Sequence, residues 1–433
     1  MLQRSMLAAI AIVLAAPGCD QPPSDDSAAE AEPTFTTWDS AGIEIVENQA
    51  PEYGPDKFWT FDSVPEIVLG GTNEPGTPAN AAAGLVWSVV GLARLSDGRV
   101  ALLSSEQRQL LLFEPTGELS GTIGREGQGP GEFIYPERLQ YFPPDTLEVW
   151  DYGMSSVIRF DSDGAVLGER SFDYARLREH GVTSEHTWFP LPDGSLIVAE
   201  MSQRVYTPEE ARRLGVSPTL PGYMRIDHSY AAHGLGPAAH LAAGGDPLSV
   251  HVVRGDEIHQ LALDGTLLRI IRRTADTVGI AARARRAEME LLSRQREAMG
   301  LPATPQEDRA EMSARRTFSR IAALVVDTEG YLWAREWTVS EAEVPDQWSV
   351  YSPQGRWLGV LAVPSDLAAR DLHLCHWRSG MQMDPIGGHR QPPRSRLPCW
   401  VGRDFLLMVR VDELGVERVE GYRIRREIGK EES

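Results

Sequence analysis

The sequence predicts an all-β fold, and three observations carry that prediction. First, residues 88–123 divide into four short apolar runs. Ser96-Asp97-Gly98 and Glu114-Pro115-Thr116-Gly117 punctuate them, with a polar bend over residues 104–108 between. Runs of about five residues bounded by such turns read as strands, so the unit is a four-stranded antiparallel meander. Second, the punctuation recurs. Gly117 returns 47 residues on as Asp161-Ser162-Asp163-Gly164, then as Leu263-Asp264-Gly265 and Ser352-Pro353-Gln354-Gly355. Gly98 returns as Pro192-Asp193-Gly194, and Thr328-Glu329-Gly330 fills the same role. Third, a period in the forties of short strands is the signature of blades arranged around an axis. The predicted architecture is a six-bladed β-propeller of four-stranded antiparallel blades.

The elements follow in order. Residues 1–19 are read as a signal, not as part of the fold. Arg4 supplies a short positive region, and residues 6–16 are apolar but too few to span a bilayer. Ala16-Pro17-Gly18-Cys19 resembles a bacterial lipoprotein signal, in which the cysteine is acylated after cleavage; secretion without lipid is the alternative. Residues 20–37 are rich in Pro, Ser, Ala and acid, with too little apolar surface to fold, and are expected to be a disordered tether. The propeller is expected over residues 38–426, with a tail at 427–433. Its blades are read at 88–123, 137–172, from 187 to beyond 226, about 240–271, from 321 to 362, and 400–425. Residues 42–47 alternate apolar and polar, a half-buried strand ahead of the first blade. The sixth unit lacks its last strand. Residues 66–69 are expected to supply it and close the ring, removing exposed sheet edges.

Two insertions interrupt the ring. In residues 275–318, Ile280, Ala284, Ala287, Leu291 and Ala298 recur at helical spacing, and Gly300 with Pro302 ends that helix. Thr304-Pro305-Gln306-Glu307 begins another. A helical insertion between blades four and five is therefore expected, as a solvated cover over one end of the ring or as a docking element. The second insertion, residues 364–398, is a loop.

The run Ile123-Gly124-Arg125-Glu126-Gly127-Gln128-Gly129-Pro130-Gly131-Glu132-Phe133, with the L-x-D-G and F-x-x-x-G turns before it, resembles six-bladed propellers related to NHL repeats, many of them bacterial lipoproteins. The opening strand from Asp39 to Asn48 and Gly330-Tyr331-Leu332-Trp333 are similar to recurrent strands of that group. The resemblance implies a fold and says little of function, since propellers host unrelated activities. It also implies one enzymatic alternative. Related propellers include calcium- or zinc-dependent lactonases and lyases, whose metal sits at the channel mouth.

In a meander blade, the turns joining strands one to two and three to four lie on one face. Here those turns are all tight. The long segments, residues 124–136, 201–222, 275–318, 337–347 and 364–398, fall on the opposite face, where binding residues are expected. The second strands end there, carrying Asp151, Glu200, Arg335, Glu336, Arg410 and Asp412, with His251 in the matching strand of the fourth unit. They are candidates for a polar pocket at the channel mouth, against the alternative of salt bridges that hold blades together. Residues 124–133 have the glycines of a phosphate loop but no Gly-Lys-Ser/Thr, and are read as a tight crossing between blades. No hydrolase or metalloprotease motif and no calcium loop is present, so no catalytic residue and no cofactor are predicted. Calcium or zinc belongs only to the enzymatic alternative. The chain carries 42 Lys and Arg against 62 Asp and Glu, a net charge of −20, which argues against a nucleic-acid partner.

Three cysteines are present. With Cys19 taken by lipid, Cys375 and Cys399 are left as a pair in an oxidising compartment and are expected to form a disulfide. A zinc site using His373, His376 and His389, or two free thiols, are the alternatives. The function expected is that of an extracytoplasmic binding or protein-interaction module, anchored by lipid. Its partner would be a small molecule, glycan or protein met on the long-loop face.

Overall fold

The glycines that punctuate the repeat turn the chain. Gly117 and Gly164 have φ of 86° and 89°, in the left-handed region where glycine alone is free of strain. The computed structural model describes residues 33–71, 84, 86–180, 188–200, 222–238, 240–274, 321–336, 347–362, 399–411 and 415–426. In it these turns join strands into six sheets. Blade one is Val89–Arg94, Val100–Ser104, Gln109–Phe113 and Leu119–Ile123. Blade two is Pro136–Phe142, Thr146–Asp151, Ser156–Phe160 and Val166–Ser171. Blade three is Trp188–Pro190, Leu196–Glu200, Gly222–Ile226 and Ala232–Pro237. Blade four is Leu241–Gly244, Ser249–Arg254, Glu257–Leu261 and Leu267–Arg273. Blade five is Ile321–Val326, Leu332–Glu336, Gln347–Tyr351 and Trp357–Ala362. Blade six has only three strands from its own stretch of chain, Cys399–Val401, Phe405–Val411 and Glu417–Arg425. All pair antiparallel in chain order within each blade. The predicted helices at 275–318, the loop at 364–398, residues 20–32 of the tether and the tail lie outside the described residues. Residues 35–37, expected to end the disordered tether, instead begin the strand Phe35–Ser40, because pairing with Ile43–Asn48 orders residues whose composition alone does not. A helix not foreseen in the sequence, Tyr174–Glu179, follows blade two, capped by the Asp173 carboxylate on the N–H groups of Ala175 and Arg176.

The core is divided by blade. Among the described residues there is one apolar cluster at each junction between neighbouring blades. Leu103, Leu110 and Phe133 meet Leu147 and Phe160 between blades one and two, and the others repeat that arrangement. Alternation explains it. Successive residues of each strand face the two neighbouring blades, so strands buried on both faces read as nearly continuous apolar runs. The junction of blades six and one uses Ile67 and Leu69 from the N-terminal segment, packed with Phe113, Leu407 and Val419. Ile67–Gly70 pairs antiparallel with Glu417–Arg425, placing Leu69 opposite Val419, and Thr60–Phe61 pairs with the end of the same strand. The N-terminal segment thus occupies the fourth-strand position of blade six.

The half-buried strand read at 42–47 belongs to blade four, a partner that its alternation does not specify. Phe35–Ser40 and Ile43–Asn48 form a hairpin, and the latter strand pairs parallel with Leu267–Arg273, extending blade four to six strands. Asn48, 1% exposed, then ties blade four to blade five. Its Nδ2 donates to the carbonyls of Arg272 and Gly355 (3.3 and 3.1 Å), and its Oδ1 accepts from the Trp357 N–H at 2.7 Å. Next, the N–H groups of Glu52 and Tyr53 donate to the carbonyls of Trp357 and Leu358. Phe58 and Trp59 enter the core between blades five and six. Residues 34–71 therefore run round the outside of blades four, five and six. Asn48→Ala is expected to lower stability by about 2–3 kcal/mol, since it strands buried donors and acceptors on two blades. Urea denaturation checks this, and an unchanged midpoint would show that the bridge contributes nothing.

Candidate functional site

The long-loop face begins with the glycine-rich crossing from blade one to blade two. Its glycines cradle the loop's own carboxylate. Glu132 Oε2 accepts from the Gly129 N–H at 2.8 Å, and Arg125 Nε donates to Oε1 at 2.7 Å. The Gly129 N–H and Arg125 hold the Glu132 carboxyl below its ordinary range. A Cβ on Gly127 would lie 1.9 Å from Glu132 Oε2, and one on Gly124 would lie 2.2 Å from the Phe133 ring. The seat a phosphate would take is filled, which is the physical reason this motif is a crossing.

Asp151 ends the second strand of blade two and is fully buried. Its carboxylate accepts from the N–H groups of Ile134 (2.7 Å), Tyr135 (3.0 Å) and Met154 (3.0 Å). It is therefore a loop anchor with its oxygens committed to backbone, and not a channel-mouth ligand. What it positions is Tyr135. That residue immediately precedes the inner strand of blade two and is 49% exposed; Trp87, two residues ahead of the inner strand of blade one, is 46% exposed. Both stand on the long-loop side, where inner strands begin. Charges at second-strand ends do not point to either ring. The signal available was a large aromatic just ahead of an inner strand, outside its alternation.

The other candidates are spread over the ring. Arg410 lies 3.5 Å from Glu420 Oε2, a carboxylate that also accepts from Arg418 and Tyr422, so it belongs to a cross-strand network in blade six. Arg335 lies in the second strand of blade five. Glu200 and Glu336 end the second strands of blades three and five. Cys399 opens the inner strand of blade six, opposite Met408. Asp412, Cys19 and Cys375 lie outside the described residues, as do His373, His376 and His389. Among the described residues, no three His, Cys, Asp or Glu side chains form a set able to hold a metal ion.

His251 departs most from expectation. It sits mid-strand in blade four, 6% exposed, and faces a cleft on the tight-turn side between blades four and five. Burial, with Arg269 nearby, pushes its imidazole down from 6.5 to about 4. The sign follows from linkage. Between about pH 6.5 and about pH 4 the unfolded chain takes up a proton that the folded chain refuses, so stability falls as the pH falls through that window and levels off below it. The loss is expected to approach about 3 kcal/mol. Denaturation midpoints measured across the window should fall less in His251→Gln, and an equal fall in both proteins would overturn the assignment.

With this geometry in hand, comparison with known proteins bears on the fold. Residues 87–202 match a family described as a 6-bladed beta-propeller. No curated protein matches the chain. Among solved structures, it is similar to a Bacteroides fragilis protein described as exported, with 12% identity and a TM-score of 0.38, covering 89% of this chain and 100% of that one. It is also similar to virginiamycin B lyase from Staphylococcus aureus, with 10% identity and a TM-score of 0.35, covering 84% and 99%. A gluconolactonase from Xanthomonas campestris gives 13% identity and a TM-score of 0.31, covering 77% and 85%. These likenesses carry no argument about activity. The blade pairing and the family match agree: the chain is a six-bladed β-propeller.

Proposed function

We propose that this propeller is an extracytoplasmic binding module, related to the NHL-repeat propellers and held at a membrane by lipid on Cys19. Its long-loop face takes a glycan, peptide or other small ligand. The observation that carries this reading is the pair of exposed aromatics, Trp87 and Tyr135, ahead of the inner strands of adjacent blades. Large rigid rings held in solvent contribute apolar area to a bound ligand at small entropic cost. Asp151 fixes the backbone under one of them. Displayed glycan and peptide arrays, probed with the full chain and with a Trp87→Ala/Tyr135→Ala variant, test the reading. Binding that the double variant loses while keeping its melting temperature supports it. No binding, or metal-dependent opening of a lactone by the chain, overturns it. For the anchor, mass spectrometry of the mature N-terminus is expected to find acylated Cys19, and an unmodified start downstream of Cys19 defeats that part.

A further inference from the structure

The cleft between blades four and five lies on the face opposite the aromatics and has a volume of about 360 Å³, within the range of small-molecule sites. One wall is a row of polar side chains crossing four neighbouring strands in register: His251 opposite Gln260, Gln260 opposite Arg269, Arg269 opposite Glu44. The row is braced from within. Gln260 Nε2 donates to Ser249 Oγ at 3.0 Å, Arg269 Nη1 donates to Gln260 Oε1 at 2.8 Å, and Arg269 Nε donates to Glu44 Oε2 at 2.7 Å. Arg269 also reaches the Pro353 carbonyl on blade five at 3.0 Å. The inner end of the row is unsatisfied. His251 shares the face of Ser249 and Gln260 and lines the cleft, and its buried Nδ1 has no hydrogen-bond partner. A polar atom buried without a partner is destabilising unless a ligand or water meets it.

Charge narrows the occupant. An anion would enter past Asp246 and Glu44, both in the lining. A cation seated at His251 would face Arg269, whose charge already disfavours a proton on that ring. A neutral molecule meets neither penalty. The lining also mixes carboxylate acceptors, on Glu44 and Asp246, with donor groups on Gln260 and Arg269 and a His251 nitrogen that donates or accepts according to its tautomer. A hydroxyl group both donates and accepts, so it matches either kind. Pro247, Pro353 and the exposed Leu268 offer apolar surface for C–H groups at the rim.

We infer that the cleft between blades four and five is a second binding site, taking a neutral polyhydroxylated molecule of one or two sugar rings whose hydroxyl groups reach His251 and Asp246. The site is separate from the long-loop face and does not depend on it. Ligand-observed NMR and calorimetry on the full chain test it, with glucose, galactose, N-acetylglucosamine, maltose and cellobiose as probes and putrescine and succinate as charged controls. At least one sugar is expected to bind, shifting the His251 imidazole nitrogen resonances, and neither control should. His251→Phe and the rim variant Asp246→Asn are each expected to weaken that binding about tenfold. Trp87→Ala/Tyr135→Ala should leave it unchanged. Asp246 is exposed, so its variant keeps the test open if His251→Phe fails to fold. Absence of binding by every sugar, tighter binding of putrescine or succinate, or affinity indifferent to Asp246→Asn each overturns the inference.

Discussion

Removing residues 34–71 is expected to abolish cooperative unfolding of the ring. The deletion takes away Ile45, Val46, Phe58, Trp59, Ile67 and Leu69, each at most 4% exposed. Burial of such side chains stabilises by about 1.5–3 kcal/mol apiece, so their sum rivals the whole net stability of an ordinary domain, about 5–15 kcal/mol. It also leaves the Glu417–Arg425 strand of blade six and the Leu267–Arg273 strand of blade four as bare edges, which recruit other chains. The shortened protein should show no sharp thermal transition by circular dichroism and should elute as aggregate. A truncated monomer with the full-length melting temperature would show that the ring does not need its N-terminal segment.

Asp151→Ala is expected to cost about 3–5 kcal/mol, the largest effect of any single substitution considered for this chain. The change removes a fully buried carboxylate and strands the three N–H groups that donate to it, those of Ile134, Tyr135 and Met154. Asp151→Asn keeps one acceptor oxygen and should recover part of the loss. Trp87→Ala and Tyr135→Ala, at exposed positions, should leave stability within about 0.5 kcal/mol. Chemical denaturation of the set separates an anchoring residue from contact residues. Equal stability of Asp151→Ala and the parent chain would remove Asp151 from the anchoring role.

The blades were legible because hairpin turns are local. Asp193 accepts from the N–H of Ser195, and Asp327 from those of Glu329 and Tyr331, so the side chain and glycine that announce each turn also build it. Residues 42–47 were legible as a strand and not as part of blade four, since alternation states that a face is buried and not against what; the strand Phe35–Ser40 that pairs with them begins in a stretch whose composition reads as tether. The candidate site was harder for the same reason. A charge at a strand end looks alike in sequence whether it faces a ligand or, as Asp151 does, the backbone of the preceding loop. The cleft lining joins Glu44, His251, Gly330 and Gln354, four segments that no spacing rule connects.

The circuit of residues 34–71 has a kinetic consequence. Thr60 pairs with Arg425 and Ile67 with Gly421, so two strands made ahead of blade one wait for the last strand of blade six. A chain delivered N-terminus first carries an unpaired apolar strand, Ile67–Gly70, until blade six emerges. Contacts so distant in sequence fold slowly and are exposed to misassembly while incomplete. A holding chaperone would then act chiefly on the nascent N-terminus, and refolding from denaturant should be slow, with its yield falling as protein concentration rises.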